Sequence, residues 1–135
     1  MSKISKKIIW IEDDTNIIND VVRPLERSGY LIERFYTVKE ALDNLDALKA
    51  CDLILLDLII PPGDTDAQVG HYPGMYLLRT FREQYQLEQP VIVLSVVADA
   101  EVFQDLKTLG AEIENKPILP SKLKRLVEEV LGIEE

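Results

Sequence analysis

Short apolar runs that stop abruptly at charge recur along this chain: Ile8 to Ile11 runs into Glu12-Asp13-Asp14, and Leu53 to Leu56 runs into Asp57. Such a run is too short for a buried helix and lacks the alternation of a half-exposed strand, so it reads as a strand covered on both faces. Strands of this kind belong to parallel sheets sandwiched between helices. A third run, Val91 to Leu94, ends at Ser95, and a more polar one, Ala111 to Asn115, ends at Lys116-Pro117. If these strands lie parallel and adjacent, their carboxyl ends converge on the edge where open α/β sheets bind ligands. Three or four carboxylates, from Glu12, Asp13, Asp14 and Asp57, and the ammonium of Lys116 then meet there. That set suits a hard divalent cation beside an aspartate open to phosphorylation.

The segments between the runs have helical period. Ile17, Val21 and Leu25, with Ile18 and Val22 beside them, form a stripe closed by Gly29, and Pro24 is placed to bend it. Asp14 is suited to cap that helix. Leu31 to Tyr36 reads as a strand, and Thr37 as the N-cap of a helix carrying Val38, Ala41, Leu42, Leu45 and Leu48 on one face. A long loop over 58–73, punctuated by Pro61, Pro62, Gly63 and Gly70, precedes a helix with Leu77, Leu78 and Phe81. Ala98 to Leu109 and Leu123 to Leu131, closed by Gly110 and Gly132, complete five helices. Five βα units predict an α/β fold, a doubly wound five-stranded parallel sheet with helices on both faces, its polar fifth strand at an edge.

A length of 135 residues suits one domain over 1–135 that buries a core without disulfides. Cys51, the lone cysteine, precedes a buried strand and reads as inert packing, with a reducing cytoplasm as the expected location. A net charge of -9 speaks against nucleic acid or an anionic membrane as partner, because phosphates are repelled over most of such a surface. The basic N-terminus is followed by too few apolar residues for a signal peptide or a membrane span. His71, amid Gly70, Tyr72 and Pro73, reads as a solvated loop residue, as do Asp64 and Asp66.

Four segments carry a resemblance. Ile8 to Asp14, Asp52 to Leu58, Pro90 to Ser95, and Gly110-Ala111 followed by Lys116-Pro117 resemble the receiver domains of two-component response regulators, single-domain chemotaxis regulators in particular. The four occur in family order and span essentially the whole chain. The resemblance implies a flavodoxin-like strand order, 2-1-3-4-5. It implies that Asp57 accepts a phosphoryl group from a sensor histidine kinase or a histidine phosphotransfer protein. Glu12, Asp13, Asp57 and the backbone carbonyl of Ile59 are then expected to hold Mg²⁺. Lys116 pairs with Asp57 and afterwards with the phosphoryl group, and Ser95 hydrogen-bonds a phosphoryl oxygen. Its Lys116–Pro117 bond is a cis candidate, since proline lowers the cis cost to about 0.5–1 kcal/mol. With no output domain expected after the fifth helix, a separate downstream protein reads the state from the fourth helix, fifth strand and fifth helix. The chain is not expected to be an enzyme beyond its own phosphorylation and slow self-dephosphorylation.

The chain also departs from the family pattern. Its 58–73 loop is longer than usual, Val96 stands where a small residue is common, and Ile113 occupies the place of a switch aromatic. Apolar Ile59 and Val97 flank the path of attacking water, which predicts slow loss of a phosphoryl group. A different class of function, a phosphorylation-independent docking module using the long loop or the altered face, shares the fold. A flavin-phosphate site fits poorly, since Glu12-Asp13-Asp14 repels the anion that a helix N-terminus there binds. A phosphohydrolase of the Asp-x-Asp kind is disfavoured because Ile59 is not an acid.

Overall fold

The computed structural model describes residues 6–14, 19–97 and 99–133. Five strands form at the apolar runs: β1 (Lys7–Ile11), β2 (Leu31–Phe35), β3 (Leu53–Asp57), β4 (Val91–Ser95) and β5 (Ala111–Asn115). Every neighbouring pair is parallel, in the order β2-β1-β3-β4-β5. β3 and β4 are buried at every residue because helices cover both faces, whereas β5 at the edge carries the exposure that Glu112 demands. Side-chain alternation divides the core in two. Ile9, Ile11, Ile54, Leu56 and Val93 face one layer, and Ile8, Trp10, Leu55, Ile92 and Leu94 face the other.

Six helices are described: α1 (Arg23–Arg27), α2 (Val38–Leu42), α3 (Leu45–Ala50), α4 (Pro73–Glu83), α5 (Ala100–Thr108) and α6 (Pro120–Leu131). The expected count of five is corrected at the second helix, which breaks between Leu42 and Leu45. Asn44 leaves helical geometry at φ -127°, ψ 39°. Its side-chain amide donates to the Glu40 carbonyl at 2.7 Å, taking the acceptor that helix continuation requires. Thr37 caps α2 as expected, its hydroxyl accepting from Glu40 N at 3.0 Å.

Residues 19–21 are helical, the helix breaks at Val22, and α1 resumes with Pro24 in its first turn, where the ring and missing N–H block a continuous ladder. The helix start that Asp14 was expected to cap, together with Ile17 and Ile18, lies outside the described residues. So does Ala98; Asp99 caps α5 by accepting from Glu101 N and Val102 N. Gly132 ends α6 in the left-handed region at φ 70°, which a residue without Cβ adopts freely. Among the described residues no helix is long and apolar enough to cross a membrane.

Candidate functional site

Parallel register brings the charged ends together. Ile11 pairs with Leu56 and Asp57 with Leu94, so Glu12, Asp57 and Ser95 leave the sheet at nearly one level. Glu12 is 1% exposed and Asp57 6%, while Asp13 faces solvent. Lys116, directly after β5, donates from its ammonium to Asp57 Oδ2 at 2.7 Å and also to Glu12 Oε1. The other oxygen of Glu12 accepts from Asp13 N at 3.1 Å. The second oxygen of Asp57 accepts from Ile59 N at 3.1 Å.

One ammonium thus serves two buried carboxylates. Burial pushes the Glu12 carboxyl up to about 7, and the hydrogen bond and repulsion from Asp57 add to that rise against the lowering effect of Lys116. Burial opposes the charge of Lys116, but its bonds to Asp57 and Glu12 outweigh that and raise its pKa. The cluster therefore carries a deficit of positive charge. One carboxylate oxygen each from Glu12, Asp13 and Asp57 lie within 4.8 Å of one another. This hard, all-oxygen donor set, open to solvent at Asp13, fits a divalent cation such as Mg²⁺. Ile59 stands in the turn after β3, with its side chain half exposed.

Ser95 is fully buried at the end of β4, and its hydroxyl oxygen accepts from Val97 N at 2.9 Å, which leaves the hydroxyl proton free to be donated. Its carbonyl accepts from Lys116 N at 3.0 Å, tying the lysine to β4. The Lys116–Pro117 peptide is cis.

Two positioning residues escape a reading of the sequence. Arg34, in β2, donates to the Glu12 carbonyl at 2.9 Å and lies over the Tyr36 ring at 4.5 Å, fixing the main chain at the acidic turn. The other is Gly74. A Cβ there would stand 2.1 Å from the Asp57 carbonyl oxygen and 2.7 Å from Leu58 Cα. Its N–H donates to the Leu58 carbonyl at 2.9 Å, so the loop over 58–73 closes against the very backbone that carries Asp57. The only sequence signal is a glycine in the first turn of a helix. Gly74→Ala is expected to cost about 1–3 kcal/mol, the usual penalty of overpacking against backbone. Urea denaturation checks this, and a variant as stable as the parent would show that the backbone yields freely.

The loop itself is anchored away from the acids. Leu58 and Ile60 are buried, and the Pro61 and Pro62 carbonyls accept from Val38 N and Lys39 N at the start of α2. Asp64, Asp66 and His71 are exposed, and neither aspartate belongs to the metal-ligating group. Cys51 is buried, its thiol pushed up to about 11 by burial and bonded to the Leu48 carbonyl, which agrees with inert packing. Ile113 is half-buried against the core, and Glu114 pairs with Lys122 of α6 at 2.9 Å.

Comparison with known proteins places these features. The sequence pattern of the response regulator receiver domain matches residues 8–128. The chain is 30% identical over 133 residues to the alkaline phosphatase synthesis transcriptional regulatory protein PhoP of Bacillus subtilis (strain 168), an alignment covering 95% of this chain and 49% of that protein. It is 27% identical over 127 residues to the transcriptional regulatory protein CrdR of Helicobacter pylori (strain ATCC 700392 / 26695), covering 90% and 55%. The chain thus spans about half the length of the curated relatives it matches. Among solved structures, a CheY-like response regulator receiver domain protein from Methanospirillum hungatei JF-1 matches with a TM-score of 0.76 at 25% identity, over 95% of this chain and 94% of that one.

Proposed function

The chain belongs to the response regulator receiver domain family, and on that premise we propose that Asp57 accepts a phosphoryl group from a sensor histidine kinase or histidine phosphotransfer protein. The observation that carries this reading is the placement of Asp57: one oxygen 2.7 Å from the Lys116 ammonium, within a cluster of three carboxylates at cation-binding separation. In the transfer, an Asp57 oxygen forms a bond to phosphorus while the phosphorus–nitrogen bond of the phosphohistidine breaks. The freed imidazole takes up a proton, and the product is an acyl phosphate. Glu12, Asp13 and Asp57, with the Ile59 carbonyl, would hold Mg²⁺, whose charge offsets that of the phosphoryl oxygens.

Lys116 exchanges its contact with Asp57 Oδ2 for a phosphoryl oxygen, as a compact charge on a flexible stem allows. The Ser95 hydroxyl, with its proton free, donates to another phosphoryl oxygen. Output follows as a population shift, since the phosphoryl group favours the conformation that binds it better. The surface of α5, β5 and α6 then presents that shift to a separate protein. Chemistry is confined to the domain's own aspartate, with no separate substrate turned over.

Intact mass after incubation with acetyl phosphate tests the reading. One phosphoryl gain that requires Mg²⁺ and is lost with a chelator is expected. No gain under conditions where a known receiver reacts would turn the assignment toward a docking module of the same fold. Once formed, the acyl phosphate should persist for minutes or longer after the donor is removed, because half-exposed Ile59 and half-buried Val97 offer no polar group to orient water. Decay within seconds would contradict this.

A further inference from the structure

The peptide between Glu12 and Asp13 joins two of the three clustered carboxylates, and both of its polar groups are bonded. Its carbonyl accepts from the Arg34 guanidinium at 2.9 Å, and its N–H donates to Glu12 Oε2 at 3.1 Å. The Glu12 N–H donates in turn to the Phe35 carbonyl at 3.0 Å, so β2 holds the main chain of Glu12 at both ends. Arg34 pairs with Trp10 in the ladder, which puts its side chain on the Trp10 face just short of the acidic turn. Asp13 is the exposed member of the three. Among the described residues nothing bonds to its carboxylate, so its main chain has to place it.

Arg34 is spent in an unusual way. Although it stands beside an acidic turn, it forms no ion pair among the described residues. Its guanidinium lies over the Tyr36 ring at 4.5 Å, and its Nε–H is buried without a partner, which costs stability. The ring beneath it is anchored, since the Tyr36 N–H donates to Glu40 Oε1 at 2.6 Å in the first turn of α2. An arginine bonded to main chain instead of a carboxylate leaves the acidic oxygens free for a cation. Its own charge repels that cation, but the group is partly exposed and salt screens it. Loss of its bond, by contrast, frees a peptide that carries two ligands.

We propose that Arg34 is a positioning residue for the metal, setting the Mg²⁺ affinity of the acidic cluster by fixing the peptide between Glu12 and Asp13. This rests on the metal-site reading above and does not require phosphoryl transfer. The test is titration of the folded chain with Mg²⁺ and no phosphodonor, followed through the amide shifts of Asp13 and Ile59 in nitrogen-15 correlation spectra. Arg34→Met removes the donor and should bind Mg²⁺ about tenfold more weakly, at the low end of what losing a partner of a metal ligand costs. Arg34→Lys keeps the charge and one donor but not the planar fork that stacks on Tyr36, so a smaller weakening is expected, and at constant charge it is positional. Val22→Ala trims a buried wall of the cavity of about 320 Å³ that Arg34 also lines. It should lower stability and leave Mg²⁺ affinity unchanged. Unchanged or tighter binding in either Arg34 variant overturns the proposal, and the lysine variant decides alone if the methionine one does not fold. A loss in Val22→Ala as large as in Arg34→Met overturns it too, by assigning the effect to packing. A parent chain whose shifts do not saturate with Mg²⁺ overturns the metal-site reading itself, and this inference with it.

Discussion

Asp57→Asn should take up no phosphoryl group, while the metal-free domain remains at least as stable as the parent near pH 8. The first half follows from chemistry: a neutral amide oxygen is not a competent nucleophile toward phosphorus. The second follows from the crowding of charge. Asp57 shares the Lys116 ammonium with Glu12, and its proximity helps push the Glu12 carboxyl to about 7, behind the larger effect of burial. An amide removes the repulsion, leaves Lys116 to Glu12, and retains an oxygen for the Ile59 N–H. Near pH 8 the parent must hold two buried carboxylates on one ammonium, and the variant only one. Intact mass and urea denaturation together decide the matter. Residual uptake by the variant would point to another acceptor, and a loss above about 1 kcal/mol would show that repulsion is not the dominant local cost.

That the aspartate proposed to take up the phosphoryl group should be removable without loss of stability bears on what a sequence reveals. The strands were legible because a buried parallel strand needs a continuous apolar run, and Leu53 to Leu56 and Val91 to Leu94 have no other plausible use. Their order was not legible from periodicity. It depends on which way each crossover turns, a long-range property that only the resemblance to a family carries. The convergence of charge was legible where side chains meet at strand ends, as those of Asp57 and Lys116 do.

Reading failed where the action passes through backbone. Gly74 matters for what it leaves empty beside the Asp57 carbonyl, and Arg34 for a bond to a main-chain oxygen at Glu12 in the next strand. Neither contact leaves a local pattern. The split between α2 and α3 did leave one, the pair Asp43-Asn44, but the apolar period through Leu42, Leu45 and Leu48 continues across it and conceals it. The deficit of positive charge at Glu12 also needed structure. The resemblance puts Glu12 in a metal shell, and only the geometry shows it sharing a lysine with Asp57.

That shared lysine predicts the largest stability effect. Lys116→Met keeps most of the stem and removes the ammonium. With Glu12 and Asp57 both buried, loss of their common partner is expected to cost about 3–5 kcal/mol near pH 8.5. The loss should shrink toward pH 5.5. A carboxyl raised in the folded state contributes stability that is complete below its unfolded value and is lost as pH climbs through the folded one. In the parent that window runs from 4.5 to about 7 for Glu12. Without the lowering effect of Lys116 it extends higher, so parent and variant diverge mainly above pH 7. At pH 5.5 both hold a protonated Glu12, and only the pairing of Lys116 with Asp57 separates them. Mg²⁺ should narrow the gap at high pH, because a cation among Glu12, Asp13 and Asp57 supplies the missing positive charge. Urea midpoints at the two pH values, with and without Mg²⁺, provide the measurement. A gap that ignores both pH and metal would mean that Lys116 stabilises the fold by packing alone, and that the electrostatic account of the site is wrong.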